Sequence, residues 1–153
     1  MRIQRDNPSR PPVAALLREH LDGVSAVSPA ESVHALGVRS LCAANITFWT
    51  AAEGEDVLGC GALLELDAAH GEIKSMRTAA RHLRKGVASA ILACIIAEAQ
   101  ARSYGRLSLE TGSQPFFAPA RTLYARFGFV PCPPFASYPE DPNSVCMMRL
   151  LTD

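Results

Sequence analysis

The stretch that decides the fold is MRTAARHLRKGVAS, residues 76–89. It begins in a run of β-forming residues, Glu72–Thr78, passes through a basic turn that contains Gly86, and leads into a long apolar helix. A helix N-terminus presents free backbone N–H groups and the positive end of the helix dipole, and a glycine lets a phosphate approach the backbone closely. The order of strand, basic glycine turn and helix therefore predicts a pyrophosphate-binding site.

The hydrophobic pattern around this stretch predicts an α+β domain. Apolar residues at helical spacing, with caps and glycine stops, predict helices at Val13–Leu21, 28–36, Gly86–Arg102 and Ala118–Phe127. Runs of β-branched and aromatic residues predict strands at Met1–Arg5, Ile46–Ala51, Val57–Leu66, Glu72–Thr78, Leu107–Thr111 and Val145–Leu151.

The connections between these elements predict how the strands pair. Short polar turns join the strands from 46 to 78, which should form an antiparallel meander, with Gly59 and Gly61 marking a bulge or a close approach. Leu107–Thr111 follows a helix and should pair parallel to Glu72–Thr78. The segment Pro131–Ser144 is proline-rich and is predicted to be irregular.

The composition limits the classes of protein that the chain can represent. With 153 residues it is long enough for one domain, 1–153, with a substantial core. Lys plus Arg and Asp plus Glu each number 15, so the formal net charge is zero, which argues against a nucleic-acid partner held by bulk electrostatics. Basic residues between 77 and 85 form a local cluster that suits a small anionic ligand.

The location of the protein and its metal content are predicted from absent signals. No apolar run reaches membrane-spanning length, and the first residues lack the apolar core of a signal peptide, so we expect no membrane association and a cytoplasmic location. The five cysteines are widely spaced, with no C-x-x-C pair and no histidine at ligand spacing, so no metal site is predicted.

A second motif, ARTLYARFGF at residues 120–129, closes the helix that begins at Ala118. It resembles the Ala-x-x-Leu-Tyr-x-x-x-Gly-Phe motif of the GNAT acetyltransferase superfamily, and the turn LRKGVA, residues 83–88, matches the second half of that family's phosphate-binding motif. Two positions depart from the family pattern: Leu83, where Arg or Gln is usual, and Phe117, where Asn is usual. The resemblance implies a GNAT-like central mixed, mostly antiparallel sheet flanked by helices.

The chain from Glu72 to Met148 also resembles a narrower group of bacterial acetyltransferases. The shared segments are GEIKSMRT at 71–78, LSLETGS at 107–113 and EDPNSV at 140–145. Some members of this group carry the name indole-acetate acetyltransferase. That acid has no free amine and only a weakly nucleophilic indole nitrogen, so the name does not identify the acceptor.

The resemblance implies acetyl-CoA as the cosubstrate, with no metal, and transfer of its acetyl group by direct attack of an amine. It places the cofactor along the strand and turn of the opening stretch and beside the second motif. The expected cofactor-binding residues are Met76, Arg77, Thr78, Leu83, Arg84, Lys85, Gly86, Val87, Ala88, Ser89, Phe117 and Tyr124.

Acetyl transfer needs a neutral amine, a stabilised oxyanion and a proton for the departing thiolate. Tyr124 is the candidate acid, because it lies in the second motif and its phenol has a reference pKa of about 10. Glu110 and Glu72 are the candidate bases, because each lies in a β-like run on strands that should be neighbours and a buried carboxylate has a raised pKa. Glu72 begins its strand and is expected to be exposed. His34 and His70 are further candidates, although an isolated loop histidine is usually solvated.

The sequence leaves the acceptor open. Long proline-rich loops in compact domains are usually functional or disordered, so Pro131–Ser144 is predicted to line the acceptor site through Phe135 and Tyr138, with a dimer contact as the alternative. The expected partner is a small-molecule amine, and a homodimer is compatible with the sequence. The alternative to an enzyme is a non-catalytic acyl-CoA-binding or sensing domain.

Overall fold

The computed structural model describes residues 1–151 and contains a seven-stranded sheet with the order β1-β2-β3-β4-β5-β7-β6. The strands are β1 Arg2–Arg5, β2 Ile46–Glu53, β3 Asp56–Asp67, β4 His70–Thr78, β5 Arg106–Gly112, β6 Val130–Cys132 and β7 Ser144–Leu150. The helices are α1 Pro11–Val27, α2 Val38–Leu41, α3 Val87–Ala101 and α4 Ala118–Arg126. The predicted α+β class with a mixed, mostly antiparallel sheet is confirmed.

The strand pairing follows from the lengths of the connections. Strands β1 to β4 form antiparallel neighbours, and β5 pairs antiparallel with β7. Strand β5, which follows α3, is parallel to β4, as the crossover predicts. That parallel pairing runs only from His70 opposite Arg106 to Ile73 opposite Leu109, although β4 continues to Thr78 and β5 to Gly112. The C-terminal halves of the two strands are therefore unpaired with each other.

Each face of the sheet packs against a different helix. On one face, Ile91, Leu92 and Ile95 of α3 are fully buried in a cluster that includes Ile73 and Leu109. On the other face, α1 packs on β2 and β3 through a second cluster: Val13, Leu16, Leu17, Leu41, Phe48, Val57, Cys60, Ala62 and Ala79. The glycines of β3 allow this close packing, since a Cβ atom at Gly61 would lie 2.6 Å from Met76 Sδ and 2.7 Å from Ile91 Cγ2.

Several elements differ from the prediction. Helix α1 runs on to Val27, the segment after Ser28 forms only a 3-10 turn at Ala30–Ser32, and α2 begins directly after Gly37. The proline-rich region begins with β6, which pairs with β7 at the edge of the sheet. Proline is tolerated there because an edge strand does not need every N–H group. Within residues 1–151, no helix is long and apolar enough to cross a membrane.

Candidate active site

A cavity of about 440 Å³ opens where β4 and β5 stop pairing with each other. Ile73 to Thr78 of β4 line one side of it, and Glu110 to Gly112 of β5 line the other. Its remaining walls come from α1 and residues 28–35 on one face of the sheet, and from α3 and α4 on the other face. The cavity therefore passes through the sheet and joins its two faces.

The basic glycine turn lies at one end of this cavity. Gly86 precedes the first residue of α3 with φ +79°, and Arg84 has φ 64°, so the backbone turns sharply into the helix. A Cβ atom at Gly86 would meet nothing within 4 Å, so the space in front of the turn is open. The first-turn N–H groups of a helix have no intrahelical partner, so the turn offers free donors to an anionic ligand.

The charges around the turn come from side chains on both sides of it. Arg84 and Lys85 are exposed, and Lys85 Nζ lies 3.1 Å from His82 Nδ1. Asp56 forms an ion pair with Arg81, whose guanidinium lowers the pKa of Asp56, and its Oδ2 atom lies 2.8 Å from His82 Nε2. These contacts hold the basic cluster beside the turn.

Tyr124 reaches the cavity from the α4 side of the sheet, and Phe117, which directly precedes α4, also lines it. Tyr124 is 6% exposed and packs on Phe129 with 5.9 Å between ring centroids. Burial raises the pKa of its phenol, which therefore stays protonated at neutral pH. Phe117 packs closely on Gly112 of β5, where any Cβ atom would collide with its ring.

Glu110 enters the cavity from β5, where that strand has lost its β4 neighbour. Burial raises the pKa of its carboxyl group to about 7, and the positive charge of Lys74 opposes this shift only in part. A carboxyl group with this pKa can accept a proton near neutral pH.

Glu72 is buried, and the expectation that it is exposed was wrong. It is 2% exposed because its strand has neighbours on both sides, with Glu72 opposite Leu64 of β3 and Ser108 of β5. Tyr138 donates a hydrogen bond of 2.5 Å to Glu72 Oε2, and Lys74 Nζ lies 3.4 Å from the same atom. Glu72 therefore does not line the cavity, and its carboxylate is occupied by these two partners.

The segment between β6 and β7 is tied to the wall of the cavity. Lys74 Nζ donates to the Tyr138 hydroxyl at 2.8 Å and to the backbone carbonyl oxygen of His34 at 3.2 Å. The Tyr138 ring packs edge-on against His34, and Ser32 Oγ donates to Asp141 Oδ2 at 2.5 Å. Ser32 and His34 line the cavity, whereas Phe135 and Tyr138 support that wall from behind.

The structure also brings residues together that the sequence did not single out. His20 of α1 and Lys74 and Ser75 of β4 line the cavity with the predicted Met76, Arg77, Thr78, Leu83, Ala88, Glu110, Phe117 and Tyr124, and with Asn143 of the predicted acceptor segment Pro131–Ser144. The alternation of polar residues along β4 could have indicated Lys74, because Glu72 and Lys74 must share one face. No local signal indicates His20, because its helix meets β4 only in the tertiary fold.

The two further histidine candidates are not solvated loop residues. His70 is 7% exposed, with its Nε2 atom 2.7 Å from Ser108 Oγ and its Nδ1 atom 3.1 Å from Arg106. The expectation that it is solvated was wrong, because His70 is the first residue of β4 and is covered by Phe135. His34 lines the cavity, and its Nε2 atom is buried.

No cysteine lines the cavity among the described residues. Cys60 is fully buried, burial raises the pKa of its thiol to about 12, and it donates a hydrogen bond to the Ser75 carbonyl oxygen. Over residues 1–151, no group of three or more His, Cys, Asp or Glu side chains could hold a metal ion.

Comparison with known proteins reveals a shared family. A family model described as the acetyltransferase (GNAT) family matches residues 15–129. The uncharacterized N-acetyltransferase YsnE of Bacillus subtilis (strain 168) is 57% identical, with 99% of this chain and 100% of the relative covered. The uncharacterized N-acetyltransferase YedL of Escherichia coli (strain K12) is 50% identical over 93% of this chain and 89% of the relative. The IAA acetyltransferase of Azospirillum brasilense is 32% identical over 97% of both chains.

Solved structures share the fold at low sequence identity. An acetyltransferase from Streptococcus agalactiae 2603 superposes with a TM-score of 0.73 at 20% identity and 98% coverage of both chains. A GNAT family acetyltransferase from Elizabethkingia anophelis with acetyl-CoA bound superposes with a TM-score of 0.68 at 18% identity, covering 98% of this chain and 97% of that one.

Proposed function

The chain belongs to the acetyltransferase (GNAT) family, as its motifs predicted, and we propose that it transfers the acetyl group of acetyl-CoA to the amine of a small-molecule acceptor. The observation that carries the proposal is the cavity between β4 and β5, which Tyr124 and Glu110 enter from opposite sides. Acetyl-CoA supplies the activated thioester. The residues of the chain bind it, orient the acceptor and move protons.

We assign cofactor binding to the turn and the unpaired half of β4. The open space at Gly86 and the N–H groups of Val87, Ala88 and Ser89 fit a pyrophosphate, with Arg84 and Lys85 adding positive charge. Exposed Leu83 needs no direct role, because backbone amides bind phosphates whatever side chain they carry. Met76, Arg77 and Thr78 offer strand backbone to the pantetheine arm, with Phe117 on its other side.

Glu110 is the proposed general base. Its carboxyl group has a pKa of about 7 and lines the cavity, whereas the Glu72 carboxylate is held by Lys74 and Tyr138 outside it. We propose that the amine attacks the thioester directly, as the family resemblance implies, with Glu110 accepting its proton.

Tyr124 is the proposed donor to the departing sulfur. Its phenol stays protonated, because burial raises the pKa. Burial also makes it a weaker acid, so its first contribution is a hydrogen bond to the developing thiolate, and the proton follows as charge accumulates there.

The test is acetyl-CoA-dependent release of thiol, measured with a panel of amines for the wild type and Tyr124→Phe. We expect turnover to fall by roughly 10²–10⁴-fold, the range of a lost acid–base group, with unchanged acetyl-CoA affinity by calorimetry. Tyr104→Phe is the matched control, because Tyr104 bonds Glu65 and Arg102 and does not line the cavity. Binding of acetyl-CoA without turnover of any amine would favour a sensing domain instead.

A further inference from the structure

On the α1 side of the sheet, the cavity has two walls of different chemical character. Lys74 and Arg77 of β4, with His20 of α1, line one wall, and Glu110 of β5 lines the other. The amine of an acceptor that is deprotonated by Glu110 must lie near the β5 wall. The β4 wall is then left to bind some other part of the acceptor.

A β-bulge brings the two cations of β4 to the same face. Lys74 pairs with Ala62 and Arg77 with Cys60, so two residues, Ser75 and Met76, stand opposite Gly61 alone. Without the bulge, residues 74 and 77 would point to opposite faces. Ala62 and Cys60 both belong to the cluster under α1, and Arg77 Nη2 donates to Glu19 of that helix at 3.1 Å. Both cations therefore face α1.

The β4 wall is electropositive at His20. Burial lowers the pKa of the His20 imidazole to about 4, and the positive charges of Arg77 and Lys74 add to the shift. His20 is therefore neutral at pH 7 and can donate a hydrogen bond from one ring nitrogen. The carboxylates that balance the two cations lie away from the cavity: Glu19 is a partly exposed residue of α1, and Glu72 is buried behind the wall.

Polar atoms of this wall lack partners within the described residues. These buried atoms are His20 Nδ1 and Arg77 Nε, and the buried Nε2 atom of His34, a neighbouring cavity residue, also lacks a partner. Arg77 Nε carries a hydrogen and can only donate, and the neutral imidazole of His20 can donate from one ring nitrogen. Buried polar groups in native proteins are almost always paired with protein or water, so unpaired donors beside two cations favour a ligand that supplies acceptor oxygens here.

An amine alone does not meet this requirement, because it offers further donors. We propose that the acceptor is an amino acid or a similar small amine with a carboxylate, whose carboxylate binds the wall at Arg77 and His20 while its amine faces Glu110. A carboxylate offers acceptor positions on both oxygens and complements the guanidinium. The inference deepens the proposed function and depends on it.

The experiment measures kcat/KM for the wild-type protein with a panel of L-amino acids, each compared with its amide and its decarboxylated amine. All three forms keep the amine and the side chain, and only the first carries the carboxylate. For the best substrate we expect the acid to exceed both relatives by at least about tenfold, as expected for loss of a charge-assisted contact. Equal or better turnover of the amides or amines would overturn the inference and leave the proposed function standing.

Variants of Arg77 test whether this residue causes the preference for acceptors with a carboxylate. Arg77→Met should lower kcat/KM for the acid by roughly 10–100-fold, mainly through KM, and change it little for the amide. Arg77→Lys should retain part of the preference, because it keeps the charge but not the Nε donor. Arg2→Gln is the control, since Arg2 is exposed on the edge strand β1. Equal losses for acid and amide would overturn the assignment of Arg77, and acetylation of no form in the panel would overturn the proposed function together with the inference.

Discussion

At the scale of single residues, Glu72 and Glu110 show how surroundings separate two similar carboxyl groups. Both lie on neighbouring strands, but Glu72 accepts a hydrogen bond from Tyr138 and lies 3.4 Å from Lys74 Nζ. Glu110 lies two residues past the position where β5 pairs with Glu72 and enters the cavity, where burial raises its pKa to about 7. The same residue type thus supports the wall at one position and can accept a proton at the other.

The raised pKa of Glu110 predicts the pH dependence of the reaction. Below pH about 7 the carboxyl group is protonated and cannot act as a base, so log kcat/KM should fall with unit slope as the pH decreases. In Glu110→Gln the decrease of kcat/KM at low pH should disappear, and kcat/KM at pH 8 should be lower than in the wild type by roughly 10²–10⁴-fold. Glu55→Gln, an exposed residue of the β2–β3 turn, should retain the wild-type profile. If the same decrease at low pH persists in Glu110→Gln, the titrating group is the acceptor amine or another residue, and the assignment of Glu110 as the base is wrong.

Two glycines allow a matched test of the phosphate turn. Gly86 and Gly54 both have a left-handed φ, +79° and +58°, and a Cβ atom added at either position would meet no atom within 4 Å. Glutamate at either position strains the backbone similarly, but only Gly86→Glu places a carboxylate in front of α3. We expect Gly86→Glu to abolish acetyl-CoA binding by calorimetry and Gly54→Glu to leave it intact. Unchanged affinity in Gly86→Glu would show that the phosphates bind elsewhere.

At the scale of elements, the segment between β6 and β7 acts as a support for the cavity. Its Tyr138 joins Glu72 and Lys74, and its Asp141 accepts a hydrogen bond from Ser32. These contacts connect three parts of the chain that are separate in sequence, and two of the connected residues, Ser32 and His34, line the cavity. The segment thereby influences the acceptor site although Phe135 and Tyr138 do not line it.

Removal of this support should affect the acceptor and not the cofactor. We expect Phe135→Ala combined with Tyr138→Ala to raise the acceptor KM and leave acetyl-CoA affinity unchanged. The contacts of these two side chains are with His34, His70, Glu72, Lys74 and each other rather than with the phosphate turn. Tyr138→Phe keeps the ring against His34 and loses only the hydroxyl, so its effect should be smaller. A double variant that changes only the oligomeric state, as seen by light scattering, would place the segment in a dimer interface.

At the scale of the whole molecule, one sheet carries both hydrophobic clusters. Strand β3 contributes Leu58 and Leu63 to the cluster on the α3 side, and Cys60 and Ala62 to the cluster on the α1 side. Unfolding of β3 would therefore expose both hydrophobic clusters. The cavity crosses this sheet, so its ligands contact elements of both faces. These features support the proposal that residues 1–153 form one domain.

A shared sheet predicts a single cooperative unfolding transition in calorimetry. Acetyl-CoA at one hundred times its Kd should stabilise the native state by about 2.7 kcal/mol and raise Tm by about 5–10 °C. The transition should remain single and move as a whole. Two separable transitions, only one of which responds to acetyl-CoA, would show that the two faces unfold independently.

The sequence alone determined the features that depend on neighbouring residues and on the lengths of connections. The strand, glycine turn and helix at residues 72–102, the motif at 120–129 and the parallel pairing of β4 with β5 all follow from local periodicity and from the crossover rule. The family was recognisable from the same segments, because its phosphate site uses backbone groups at a helix N-terminus and needs few specific side chains.

Only the tertiary structure decided which side chains share the cavity. The contacts that bury Glu72 and build the acceptor wall join residues far apart in the chain: Tyr138 to Glu72 across 66 positions, Ser32 to Asp141 across 109 and Arg77 to Glu19 across 58. A single bulged residue places Lys74 and Arg77 on one face. Such contacts depend on the relative positions of packed elements, and because a one-residue shift reverses the face of a strand, no local pattern specifies them.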